Sequence, residues 1–187
     1  MPKDQALIDE YFVRLKELVD NLPLDKLKLI LNKLRSAREN ENSIFVCGNG
    51  GSASTASHMV CDLLKNTRSS EQKGMRVFGL GDNIPTLTAF ANDEGYKSIF
   101  SEPIRSLMNA QDILIALSAS GNSPNVLEAV KAAGEKGGYT IGISGFDGGK
   151  IRDMVDLSLV IPSDSMERIE DVHLVINHIL TVGLREG

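Results

Sequence analysis

The stretch Ser43-Ile44-Phe45-Val46-Cys47-Gly48-Asn49-Gly50-Gly51-Ser52-Ala53 decides the fold. A short apolar run ends in a glycine cluster and helix-like sequence follows at once, so the pattern predicts a strand, a tight turn and a helix. The strand signal returns at Arg76–Leu80, Asp112–Leu117, Thr140–Ser144 and Leu157–Ile161, with longer helix-like stretches between. Strands that alternate with helices pair in parallel, and the crossover helices cover both faces of the sheet. The expected fold class is α/β, a three-layer α/β/α sandwich with a five-stranded parallel sheet. Ligands of such sheets bind outside the carboxyl ends of the strands. That points to the loops Gly48–Ser52, Ser118–Ser123 and Gly145–Gly149.

Upstream, apolar residues recur at helical spacing from Leu7 to Leu22 and from Leu24 to Ala37, with Pro23 between the two segments. Amphipathic helices outside a fully covered sheet keep an apolar stripe to bury, and a subunit interface is the expected answer. Downstream, Met166–Leu184 reads as a long final helix, with Ser163, Asp164 and Ser165 as candidate caps. The chain divides into an oligomerising helix pair, 1–40, and one α/β unit, 41–187.

Composition sets the outer bounds. A chain of 187 residues with 42% hydrophobic and 24% charged residues is a globular domain, not a disordered one. Its net charge of -5, with no basic stripe, argues against nucleic acid as a direct partner. No apolar run approaches the roughly 20 residues that span a bilayer. The polar start, Met-Pro-Lys-Asp-Gln, carries no export signal. Two cysteines, Cys47 and Cys61, are too few for a disulfide framework, and a reducing cytoplasm is the expected compartment.

Two loops suit an anion. Backbone N–H groups where Gly48–Ser52 enters its helix can face a phosphate. The spacing Gly48-x-Gly50-x-x-Ala53 also satisfies a dinucleotide fingerprint, but the acidic residue that reading needs about 20 positions on is missing. In Ser118-Ala119-Ser120-Gly121-Asn122-Ser123, three hydroxyls converge just before Pro124, a residue favoured in the first helical turn. A single serine there would be a helix cap; three fit a compact dianion better. Beyond the first loop, His58 and Asp62 stand four residues apart on one helix face, which suits a metal, or a base and its orienter, or an ordinary surface pair. Cys61 is a candidate third ligand or a small core residue. Glu170 and His178 lie eight residues apart, about 12 Å along a helix and about 80° around it, so they form no compact pair. His173 points elsewhere and packs or bonds to a neighbour.

Cys-Gly-Asn-Gly-Gly-Ser, Ser-Ala-Ser-Gly-Asn-Ser-Pro-Asn-Val-Leu and, between them, Thr88-Ala89-Phe90-Ala91-Asn92-Asp93 together resemble the sugar isomerase (SIS) domain family, most closely its sedoheptulose-7-phosphate isomerases. The resemblance runs from the N-terminal helices to the last one. It implies an aldose–ketose isomerase that converts sedoheptulose 7-phosphate to D-glycero-D-manno-heptose 7-phosphate through an enediol, for lipopolysaccharide, capsule or related glycans. It implies one zinc per subunit held by His58, Asp62, Glu170 and His178, with Asp62 and His178 as the acid/base pair. Asn49, Gly50, Gly51, Ser52, Asp93 and Glu170 would contact the sugar. Ser118, Ala119, Ser120 and Ser123 would form the phosphate loop. A homotetramer with sites between subunits is implied as well. The chain departs from the family at three positions, with Asp62 in place of Glu, Glu170 in place of Gln and Ala119 in place of Thr. A non-catalytic tetramer resembling the replication-initiator-associating proteins of this fold, and an isomerase of another sugar phosphate, are the alternatives.

Overall fold

Strand β1 (Ser43–Cys47) is buried along its whole length in the computed structural model, which describes residues 2–70 and 72–187. It is flanked by β2 (Arg76–Gly79) on one side and by β3 (Ile113–Ser118) on the other. β4 (Tyr139–Gly145) and β5 (Leu157–Ile161) continue the sheet, giving the order β2-β1-β3-β4-β5 with every pair parallel. The five expected strands are all present, with ends within a residue or so of their sequence signals.

Period-two alternation sorts the apolar residues into two cores. Ile44, Val46, Ile113, Ile115 and Leu117 face one layer, while Phe45, Cys47, Leu114 and Ala116 face the other. The first layer is covered by α2 (Leu24–Glu39), α3 (Gly51–Cys61) and α7 (Met166–Glu186). The second is covered by α5 (Ser101–Leu107) and α6 (Pro124–Glu135). Burial in the second core pushes the Cys47 thiol up to about 12, so it packs as an inert apolar group. The remaining helices, α1 (Pro2–Asp20) and α4 (Ile84–Asp93), sit at the periphery, and no residue of α4 is buried. Of the segment 1–40, Met1 lies outside the described residues.

Buried polar contacts fix the ends of these elements. Asp112 accepts hydrogen bonds from the backbone N–H of Ser43 and of Asn109, each at 2.8 Å, tying the start of β1 to the turn before β3. Arg35 and Arg38 on α2 donate to the carbonyls of Gly183 (2.9 Å) and Leu184 (3.0 Å), satisfying acceptors that the end of α7 leaves open. Ser165, one of the three candidate caps, takes that role on α7 by accepting from the Arg168 N–H.

Candidate functional site

In the order 2-1-3-4-5 the connections leave β1 and β3 in opposite directions, so a crevice opens at the carboxyl ends of these two neighbours. The loops after β1 and β3 meet there and line a cleft of about 300 Å³. Asn49, Gly50, Gly51 and Ser52 form one wall, and Ser118, Ala119, Ser120 and Ser123 form the other. Helices α3 and α6 both begin at this cleft, and neither is capped by a side chain. Ser123 occupies the cap position of α6, yet its hydroxyl accepts from Ser118 Oγ at 3.3 Å instead of serving its helix. Ser120 does local work, its Oγ accepting from the Asn122 N–H at 3.2 Å. Two uncapped helix starts and the serine hydroxyls supply the donors an anion needs, in a cleft that the Glu170 carboxylate also lines.

Helix α7 closes the cleft with Met166 and Glu170. The Glu170 carboxylate lies against Gly51 so closely that a Cβ at that position would overlap it. Asn49 is locked by a reciprocal pair of amide bonds to Asn125, 2.9 and 2.8 Å, and accepts a third from Tyr96 Oη at 3.0 Å.

The second group lies two turns further along the same helices. His58 on α3, Asp62 just beyond it and His178 on α7 bring their ligand atoms within 4.8 Å of one another. The two Nε2 atoms are 3.4 Å apart, and Asp62 Oδ2 is 3.4 Å from that of His58 and 3.8 Å from that of His178. Zinc bonds of about 2.0–2.1 Å in a tetrahedron put ligand atoms about 3.3 Å apart, so this donor set fits the ion with little movement. Two imidazoles and one carboxylate also match the three-ligand sets that leave a fourth position for substrate. At Asp62 the helix widens into a single π turn, Asp62–Asn66, a local distortion frequent at functional sites.

Glu170 is not brought to this group. Eight residues separate it from His178, and α3 and α7 run side by side in the same direction, with Gly51 beside Glu170 and His58 beside His178. The rise of α7 therefore leaves Glu170 about 12 Å away, at the other end of the site. Asp93 ends α4 in the open, accepting from Asn92 Nδ2, and is not part of the cleft wall. Cys61 is exposed. His173 is fully buried, with neither ring nitrogen bonded to a described residue.

The pattern of the SIS domain matches residues 10–145. The chain belongs to the SIS-domain family. It is 40% identical over 166 residues to the phosphoheptose isomerase of Helicobacter pylori, spanning 89% of this chain and 85% of that one. The phosphoheptose isomerase of Aliarcobacter butzleri is 39% identical over 157 residues, with 83% and 80% covered. The solved phosphoheptose isomerase of Francisella tularensis superposes with a TM-score of 0.91 at 30% identity over 98% of this chain and 99% of that one. The Neisseria gonorrhoeae phosphoheptose isomerase gives 0.89 at 31%, again over 98% and 99%.

Several residues of this SIS-domain protein's site escaped the sequence reading. Asn125 and Tyr96 act by holding Asn49, and Asn66 and Asn177 by holding Asp62. Asn66 stands four residues after Asp62, a spacing that marks a same-face pair once the helix is known to continue. Asn177 carried a weaker signal, an amide on the apolar face of α7 next to His178.

Proposed function

We propose that this SIS-domain protein interconverts sedoheptulose 7-phosphate and D-glycero-D-manno-heptose 7-phosphate, feeding activated-heptose synthesis for surface glycans. The protein is an enzyme, an aldose–ketose isomerase acting on a sugar phosphate. The observation that carries this reading is the two-ended site on α3 and α7. Gly51 and His58 are seven residues apart on α3, about 10 Å of helix, a span suited to an open-chain sugar with its phosphate at one end and C1 and C2 at the other.

The phosphate would sit against Ser118, Ser120, Ser123 and the N-termini of α3 and α6. Asn49 and Glu170 would take sugar hydroxyls, the Glu170 carboxylate accepting from them. His58, Asp62 and His178 would hold zinc, one ion per subunit, and zinc there supplies Lewis acidity to the carbonyl–hydroxyl pair of the substrate. Asp62 takes one hydrogen of C1 as a proton. The C1–C2 bond becomes double and His178 protonates the C2 oxygen, giving a cis-enediol. Loss of the proton on O1 and return of a proton to C2 complete the aldehyde, with no net gain or loss of atoms.

A homotetramer is supported by exposed apolar residues. Leu7, Phe12 and Val13 on α1 are more than half exposed, and Ile84 opens the unburied α4. His58 and His178 are also open on their outer side, with side chains 44% and 53% exposed, so a neighbouring subunit would complete the pocket and bring in Asp93. The free thiols of Cys47 and Cys61 support a cytoplasmic location, and no helix among the described residues is long and apolar enough to cross a membrane.

An NMR time course with sedoheptulose 7-phosphate in deuterium oxide, with and without zinc, tests the reading. The expected result is an aldose anomeric signal with deuterium at C2, absent with Asp62→Asn. Binding of the sugar phosphate without turnover in any metal condition would refute it.

A further inference from the structure

Asp62 differs from the two histidines beside it in being buried, at 4% exposure. A carboxylate turns easily about its last torsion, which has broad wells, yet here both oxygens are fixed from opposite sides. Asn66 Nδ2 donates to Oδ1 at 2.7 Å across the π turn. Asn177 Nδ2 donates to Oδ2 at 2.8 Å from α7. Oδ2 is also the atom that faces His58 and His178, so the asparagine next to His178 in sequence aims the oxygen that His178 meets in space. Both donors are neutral amides, and neither offsets the negative charge of the carboxylate as an arginine or lysine would.

We propose that Asn177, assisted by Asn66, is a positioning residue that fixes the plane and reach of the Asp62 carboxylate. The inference rests on Asp62 having the role given above. Asn177 acts through Asp62 and lies fully buried behind it, away from substrate. Its orientation follows from charge, because the reversed amide would set its carbonyl oxygen against the carboxylate. The same orientation leaves Asn177 Oδ1 buried without a partner among the described residues. An unpaired buried carbonyl opposes folding, while the hydrogen bond that the same amide gives the buried Asp62 carboxylate favours it, and the two effects offset. The asparagine's contribution therefore lies in the aim of the carboxylate more than in the stability of the fold. The arrangement also suits the short side chain: a carboxylate one methylene shorter than Glu has less freedom to correct its own aim, and its position must come from the groups around it.

The test compares wild type with Asn177→Leu and Asn66→Ala. Three quantities are read: the melting temperature, zinc affinity by chelator competition on the metal-stripped protein, and kcat and KM separately for sedoheptulose 7-phosphate. Asn177→Leu removes the unpaired Oδ1 but also the hydrogen bond to the buried Asp62 carboxylate, so its melting temperature should stay within a few degrees of wild type. Its kcat should fall about 10- to 100-fold with KM within about twofold, and zinc should bind at least about tenfold more weakly, the range seen when groups behind a metal ligand are lost. Asn66→Ala should shift kcat and zinc affinity in the same direction by less. Unchanged kcat and zinc affinity in Asn177→Leu would overturn the inference, as would losses that track a large drop in melting temperature. If wild type binds zinc but does not turn over the sugar, the functional reading fails and the zinc comparison alone decides the inference. If wild type does neither, both fall.

Discussion

Replacing His173 with leucine should flatten the acid limb of the protein's stability curve. The ring is fully buried on α7 and neither nitrogen is bonded to a described residue. Burial pushes its pKa down from 6.5 to about 4, because taking the ring out of water disfavours the charged imidazolium. Above pH 6.5 the ring is neutral in folded and unfolded chains alike. As the pH falls from 6.5 towards 4, the unfolded chain takes up a proton that the folded chain refuses, so folding weakens throughout that window. A shift of about 2.5 units corresponds to about 3 kcal/mol when complete, and about 2 kcal/mol of that is lost by pH 5. The assay is urea unfolding at a fixed subunit concentration, at pH 7.5 and pH 5.0, for wild type and His173→Leu. Carboxylates and the other two histidines titrate in both proteins and cancel in the comparison. At pH 7.5 the variant should lie within about 1 kcal/mol of wild type or above it, since leucine removes two unpaired buried nitrogens. At pH 5.0 it should gain about 2 kcal/mol on wild type relative to that starting point. Parallel pH curves for the two proteins would refute the reasoning, because they would mean that the native ring takes its proton as readily as the unfolded one.

Ser123→Ala should raise KM for the sugar phosphate about 10- to 100-fold, since a hydrogen bond to a charged group contributes about 1.5–3 kcal/mol. Its kcat should stay within a few-fold, and steady-state kinetics separates the two. Gly121→Ala should destabilise the fold by about 2 kcal/mol or more, because Gly121 has φ +64 and its Cβ would run into the Gly148 carbonyl; thermal unfolding measures it. Arg38→Ala should cost about 1–2 kcal/mol by unpairing the Leu184 carbonyl at the end of α7, and leave kcat unchanged in the refolded fraction.

The sheet was legible because β1 and β3 are short, unbroken apolar runs that end in small-residue loops. The strand ends moved by a residue at Leu80 and Ile113 because pairing with a neighbour, not hydropathy, sets where a strand stops. The serine loop was legible for a similar reason: its three hydroxyls, at 118, 120 and 123, fall within six residues, and their convergence needs only one turn. The histidine cluster was half legible. His58 and Asp62 share a helix, so spacing pairs them; His178 joins them only because α3 and α7 pack side by side, which no local pattern reveals. The π turn at Asp62 was invisible, since nothing in Asp62–Asn66 differs from an ordinary helical sequence. The place of Glu170 followed from helix arithmetic. Eight residues on α7 separate it from His178, and a partner helix running in parallel keeps that separation.

In the proposed reading, that parallel pair is how one fold would hold two chemistries that interfere at closer range. A phosphate dianion beside the histidine cluster would compete with Asp62 for the ion and for protons. Seven residues of α3 and eight of α7 hold the two ends about 10–12 Å apart, a distance fixed by backbone hydrogen bonds and insensitive to side-chain motion. Glu170 lies at the serine-loop end of that span, its carboxylate against Gly51, where it adds a negative charge to the cleft lined by the serines. In the proposed reading the substitution at position 170 changes the charge at the serine-loop end, while the one at position 62 changes the reach of the base at the far end about 10–12 Å away, and the two can be varied independently.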